Sequence, residues 1–200
     1  TRGKANPVRN LDEDLDLKED FVFLTENRLN EIKNIEAKTE GQQKVIDAIK
    51  ENSIIIIDGM AGTGKSYISI GMAAQALYHG KCEKIIITRP MVEVGYSMGA
   101  LPGSALEKFE FYATPIFEQL TQVIGPSTIY NWKLAGKIKC VPLNLMRGLT
   151  FNNSWVILDE SQNCSFEQLV MFLTRLGQNT KLIINGDCRQ SDLPLNRQGA

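Results

Sequence analysis

Two groups of residues in this chain have the types and spacing to act on a polyphosphate. The first is Gly59-Met60-Ala61-Gly62-Thr63-Gly64-Lys65-Ser66, followed by Tyr67. Its glycines let the backbone turn its N–H groups inward around an anion. The pattern G-x-x-x-x-G-K-[ST] is the phosphate-binding loop, in which Lys65 reaches the β- and γ-phosphates and the Ser66 hydroxyl binds Mg²⁺. The second group is Asp159-Glu160, at the end of the apolar run from Ser154 to Leu158. An apolar strand ending in Asp-Glu downstream of such a loop is the Walker B pattern. Asp159 would hold Mg²⁺ directly or through water, and Glu160 would orient or deprotonate a water attacking the γ-phosphate.

Strands must carry both groups to one end of a sheet. Ile54 to Ile57 are β-branched in a row, which predicts a strand covered on both faces. A helix over Tyr67 to Tyr78 follows, rich in alanine and ended by Gly80, and then a second apolar strand, Lys84 to Thr88, leading into Arg89-Pro90. This order implies a right-handed parallel βαβ unit with the functional groups clustered at the strand C-termini. Further strands are expected at Ile138–Val141, Ser154–Glu160 and Thr180–Asn185. Ser104-Ala-Leu-Glu107 reads as a capping box opening a helix that Pro115 breaks or restarts, with Ile116, Leu120, Val123 and Ile124 continuing it. Ile129–Ala135 predicts a further helical turn or two, and Pro142–Thr150 a loop carrying Arg147. Ser165-Phe-Glu-Gln168 is a second capping box, for a helix running through Leu176 to Gly177.

Upstream of residue 39 the pattern changes. Leu11 to Asp20 alternates leucines with acids, Phe21–Leu24 suits a short strand, and Leu29, Ile32 and Ile35 lie at helical spacing within Glu26–Lys38. We therefore divide the chain into an acidic arm with a short helical extension, 1–38, and a nucleotide-binding domain, 39–200. Gln42 could read adenine, since its amide both donates and accepts; the plain alternative is a helix start capped by Thr39. Gln162 and Asn163 stand where either could pass a signal from the nucleotide to a partner strand. Gln190, beyond Gly186-Asp187, could contact the γ-phosphate or belong to an ordinary turn.

The bulk numbers narrow the class. Two hundred residues with 43% hydrophobic content suit one domain with an arm. A net charge of -1 argues against a strong non-specific pull on nucleic acid, leaving a local basic groove as the alternative. Four cysteines without pairing or metal spacing, and a single histidine, suggest reduced thiols in a cytoplasmic protein without zinc. No apolar run is long enough for a membrane span.

Taken in order, these stretches resemble the PhoH family of P-loop ATPases. The likeness rests on Gln42, on Gly59–Ser66, and on Ile87-Thr-Arg-Pro90 with Glu93 and Gly95. It continues through Leu101-Pro-Gly103, Met146-Arg-Gly148, Leu158-Asp-Glu-Ser-Gln-Asn163, Met171–Gly177, Gly186-Asp187, Gln190 and Asp192-Leu-Pro194. Asn185 stands where the family usually has Thr, Leu149 where it has Arg, and Met91 where it has a small residue. The resemblance implies an α/β, three-layer RecA-like core with a mainly parallel β-sheet flanked by helices, and Mg²⁺-dependent ATP hydrolysis. It suggests the short, stand-alone bacterial or phage form named for phosphate starvation, with a C-terminal part beyond Ala200 in longer relatives. It also implies oligomers, most plausibly a hexameric ring, in which Arg147 would complete a neighbour's site, with Arg175 in reserve.

RNA unwinding, known for members fused to a PIN nuclease domain, gives a related reading: an ATP-driven remodeller of RNA or single-stranded nucleic acid. It needs a basic or aromatic groove, for which Arg89, Lys108, Lys133, Arg147 and Trp132 are candidates. A nucleotide-gated assembly module with little turnover is the alternative outside the enzymes. A kinase would need an acceptor pocket and an arginine-rich lid, which the sequence does not display.

Overall fold

Among the described residues, five strands form one sheet in the order β1-β5-β4-β2-β3, and every neighbouring pair is parallel. The structure is a computed structural model, and it describes residues 32, 34–90 and 105–192, the side chains of 105–112 excepted. The strands are β1 (Ile54–Asp58), β2 (Lys84–Thr88), β3 (Ile138–Cys140), β4 (Ser154–Leu158) and β5 (Lys181–Gly186). The helices are α1 (Glu40–Glu51), α2 (Lys65–Tyr78), α3 (Ala105–Ile124), α4 (Pro126–Leu134) and α5 (Phe166–Leu173), with 3-10 turns at Leu143–Met146 and Ser161–Asn163. The chain leaves β1 through α2 and enters β2, past the positions that β5 and β4 later fill. That non-consecutive order opens a crevice at the strand C-termini, where α/β sheets bind their ligands. This is the expected RecA-like P-loop core.

Strand alternation divides the core between two faces. Ile55, Ile57, Ile85, Ile87, Ile157 and Ile183 pack against α1 to α4. Ile86, Val156, Leu158, Leu182 and Ile184 pack with Leu143, Met146, Cys164 and Phe172 on the other face. The thinner second layer does not extend over β1. Ile54 and Ile56 are 44% and 72% exposed, although Ile55 and Ile57 are buried. The expectation that Ile54 to Ile57 would be covered on both faces is not met: among the described residues β1 is an edge strand with only one of its faces covered.

Other expectations also change. The predicted helix over Glu26–Lys38 does not reach its end: residues 34–37 are irregular, with Ile35 and Ala37 turned toward the core and Asn34, Glu36 and Lys38 exposed. That two-residue alternation marks extended chain. Pro115 does not break its helix, since α3 runs unbroken through it. A proline inside a helix costs about 3 kcal/mol. Ile116, Leu120, Val123 and Ile124 are all buried, and each contributes about 1.5–3 kcal/mol, which outweighs that cost. The helix after Ser165 begins with the expected reciprocal cap: Gln168 N–H donates to Ser165 Oγ and Ser165 N–H donates to Gln168 Oε1. It ends at Leu173 instead of Leu176, because Arg175 and Leu176 turn to pair with Phe151. A side chain at Gly177 would lie 2.2 Å from the Phe151 carbonyl oxygen, so only glycine permits this approach. The acidic arm, Phe21–Leu24, the Ser104 capping box and the Gly95–Gly103 loop lie outside the described residues.

Candidate functional site

Four strands deliver residues to one cleft of about 440 Å³ at the C-terminal end of the sheet. The phosphate loop follows β1, Arg89 follows β2, Asp159 and Glu160 follow β4, and Asp187 and Gln190 follow β5. The size lies within the usual range for a ligand site. Gly62 and Gly64 have φ of 78° and 88°, the left-handed turns that let the loop present its amides. Gly64 caps α2 without a side-chain hydrogen bond, so the amides of the first turn point outward from a positive helix end. α2 is buried along most of its length, with Ile68, Ile70, Ala73, Ala74 and Leu77 in the core. That packing fixes the direction in which its N-terminus points.

The two expected metal ligands are brought together. Ser66 Oγ donates a 2.7 Å hydrogen bond to Asp159 Oδ1. Asp159 is 4% exposed. Burial pushes its carboxyl above the usual range. The Arg89 guanidinium and the Ser66 hydroxyl draw it back, while Glu160 adds to the rise. A hydroxyl and a carboxylate side by side are hard oxygen donors of the kind Mg²⁺ accepts in phosphate sites, with waters and substrate supplying the rest of its shell. Among the described residues there is no cluster of three or more His, Cys, Asp or Glu side chains that could hold a metal alone.

β4 stops at Leu158, short of the expected Glu160. Asp159 continues its ladder by one bond, from its N–H to the Thr88 carbonyl, and Glu160 turns into the left-handed region at φ 59°, ψ 42°. This turn sends the two acids in different directions. Glu160 Oε1 lies 2.9 Å from Arg89 Nη2, and Oε2 accepts a 2.7 Å bond from Gln162 Nε2. Arg89 Nη2 also stands 3.3 Å from Asp159 Oδ2.

The remaining predicted residues fall in several places. Lys65 bonds through Nζ to the carbonyls of Gly59 and Met60 within its own loop, and Thr63 Oγ1 also donates to Met60 O. Ala61 N–H donates to Asp187 Oδ2, and Tyr67 and Gln190 line the cleft. Gln42 grips the loop from outside: Nε2 donates to the Thr63 carbonyl and Oε1 accepts from Lys38 N–H, while Thr39 caps α1 as expected. Arg147 is not brought to this cleft; it lines a separate cavity with Asn144, Glu167, Gln168 and Met171. Arg175 is a structural clamp that bonds the Met171 and Leu149 carbonyls.

Sequence reasoning missed several contributors. Arg89 is expected from the sequence as a nucleic-acid candidate within a family signature, yet it joins both acids. Its signal was its place directly after a central parallel strand, beside the crevice. Asp187, expected as part of a turn or of the family's stretch around Gln190, is 5% exposed and anchored to the phosphate loop. Gln119 and Gln122 enter the cleft from α3, and no motif marked them. The nucleic-acid candidates weaken in turn. Trp132 is 7% exposed in the core, and Lys133 sits 4.1 Å over the Phe117 ring. Lys108 lies outside the described side chains. No helix among the described residues is long and apolar enough to cross a membrane. None of the four cysteines forms a disulfide.

Sequence comparison finds relatives among known proteins. The sequence model of a family described as "PhoH-like protein" matches residues 34–200. The chain is 45% identical over 162 residues to a PhoH-like protein of Bacillus subtilis, covering 81% of this chain and 51% of that protein. It is 42% identical over 173 residues to a PhoH-like protein of Synechocystis, covering 86% and 52%. It is 43% identical over 160 residues to Protein PhoH of Escherichia coli, covering 79% and 45%. The chain thus spans about half the length of the curated relatives it matches.

Proposed function

The chain belongs to the PhoH-like protein family, and from that premise we propose that it binds ATP with Mg²⁺ in the cleft between β1 and β4 and hydrolyses it. The observation that carries this reading is the 2.7 Å bond between Ser66 Oγ and Asp159 Oδ1, which sets two metal donors beside the phosphate loop, with Glu160 on the same cleft.

The loop amides and the start of α2 hold the phosphates, and Lys65 exchanges its carbonyl partners for phosphate oxygens. Bound Mg²⁺ would lie against Ser66 and Asp159 and neutralise charge on the phosphate oxygens. Glu160 orients the water and takes its proton, and Gln190 senses the γ-phosphate. Gln42 fixes the loop and, by exchanging one of its two bonds, reads the adenine edge. In an assembly of several copies, Arg147 would act on a neighbour's nucleotide, because its own cleft does not contain it.

Coupling to RNA or another single strand is the finer form of the proposal. It rests on the family resemblance, since Trp132 is core and Arg89 is committed to the acids. The test of the reading is thermal. Ligand that binds only the folded state adds about 2.7 kcal/mol at a hundredfold excess over Kd. Mg-ATP should raise Tm, and Lys65→Ala should abolish the rise. An unmoved Tm in the parent chain would sink the nucleotide reading.

A further inference from the structure

A line of hydrogen bonds runs from the base to the phosphate loop through two buried side chains. Glu160 Oε2 accepts from Gln162 Nε2 at 2.7 Å. Gln162 Oε1 accepts from the Asp187 backbone N–H at 3.1 Å. Asp187 Oδ2 accepts from the Ala61 N–H at 3.2 Å, and its other oxygen accepts from Arg189 N–H at 3.1 Å. Gln162 and Asp187 are 4% and 5% exposed, so water does not substitute freely for these bonds. The packing around them is close. A side chain on Gly186 would stand 2.4 Å from Ser161 Oγ and 3.4 Å from Gln162 Oε1.

We propose that Gln162 and Asp187 are positioning residues that tie phosphate at the Ala61 amide to the orientation of Glu160. The inference rests on the hydrolytic reading above. Its physical basis is competition. The Ala61 N–H belongs to the loop that cradles phosphate, and in this structure it is held by a carboxylate. Two anions do not share one N–H at close range, so a phosphate oxygen taking that amide displaces Asp187. The carboxylate displaced from Ala61 is carried by the backbone whose N–H is bonded to Gln162, so a displacement that moves this backbone also moves the Gln162 amide. Gln162 in turn donates to Glu160 with one end of its amide and accepts from Asp187 with the other. The primary amide offers a donor and an acceptor at the two ends of one plane, which suits that span. Phosphate arrival therefore reaches Glu160 as a change in the bond that holds its Oε2. Gln162 and Asp187 touch neither water nor phosphate in this scheme; they act through Glu160 and Ala61.

The test separates binding from chemistry. Kd for Mg-ATP and the single-turnover hydrolysis rate are measured for the parent, Glu160→Gln, Asp187→Asn, Gln162→Met and Gln162→Glu, with Tm as a check on folding. Asp187→Asn should bind Mg-ATP about three- to tenfold more tightly, because the competing anion is neutralised, and hydrolyse it about tenfold more slowly. Gln162→Met should bind as the parent does and hydrolyse about tenfold more slowly. Gln162→Glu keeps the acceptor for Asp187 and sets a like charge against Glu160. It should be slow too, and it replaces Gln162→Met if that variant does not fold. A residue with a merely structural role would lower binding and rate together. Weaker binding by Asp187→Asn, or parental hydrolysis by a folded Gln162 variant, overturns the relay. If Glu160→Gln is slow while the Gln162 variants are not, the relay alone falls. If Glu160→Gln hydrolyses at the parental rate, the base assignment falls and the relay with it.

Discussion

Arg89 Nη2 stands 2.9 Å from Glu160 Oε1, so the cation that follows β2 is held against the acid that follows β4. The same nitrogen reaches Asp159, and the two side chains it serves differ in setting. Asp159 is almost wholly enclosed and Glu160 is half open. Replacing Arg89 by Ala would leave two adjacent carboxylates without their shared counter-charge. Removing one partner of a buried pair costs about 3–5 kcal/mol. Because Arg89 and Glu160 keep solvent access, we expect a loss below that range, about 2 kcal/mol by urea unfolding. Mg-ATP should recover part of that loss by supplying positive charge at Asp159. A silent Arg89→Ala would show that the pairing has no energetic weight.

Asp159 and Ser66 predict a second outcome. Asp159→Asn preserves the shape and still offers an oxygen to the Ser66 hydroxyl, but it removes the charge. Titration calorimetry with and without Mg²⁺ should show nucleotide affinity falling only in the presence of the metal, by about tenfold or more for one lost charge-assisted contact. Equal losses with and without Mg²⁺ would place the metal elsewhere.

The buried thiols set a pH dependence. Burial pushes Cys82 up to about 11 and Cys164 up to about 12, from an ordinary value of 9.0. The unfolded chain releases these protons first. The stability due to the neutral thiols is therefore complete below pH about 9 and is lost as pH rises toward 11 and 12. At pH 8, iodoacetamide should leave both thiols intact in the folded protein, since only about one Cys82 in a thousand is thiolate there. Exposed Cys188 should react instead, slowly, because partial desolvation and Asp58 raise it as well. Mass spectrometry of the labelled peptides reads the result. Fast labelling of Cys82 at pH 8 would contradict its burial.

What could be read from the sequence was what is local along it. Gly59–Ser66 declares itself because consecutive amides and one lysine must meet one ligand. Asp159-Glu160 declares itself because a strand must carry it there. The parallel order followed from apolar runs separated by helical spacing. What could not be read depends on contacts between distant segments. Arg89 acquires its role only when β2 and β4 lie side by side, and Asp187 only when β5 is inserted next to β1. Ile54 and Ile56 look like core until β1 proves to be an edge. Trp132 looks like a stacking platform until α4 buries it, and Pro115 looks like a break until the burial around it is counted.

Phosphate release from Mg-ATP by the purified chain and its Glu160→Gln variant, with nucleotide Kd measured on the same samples, tests the central claim most directly. Glu160→Gln keeps nearly all of the side chain's contacts and removes its basicity. The site described here predicts steady release by the parent, undiminished binding by the variant, and a rate lowered about 10²–10⁴-fold, the usual worth of a positioned base. Full hydrolysis by Glu160→Gln would contradict the assignment of the base. A parent chain that binds no Mg-ATP would contradict the site itself.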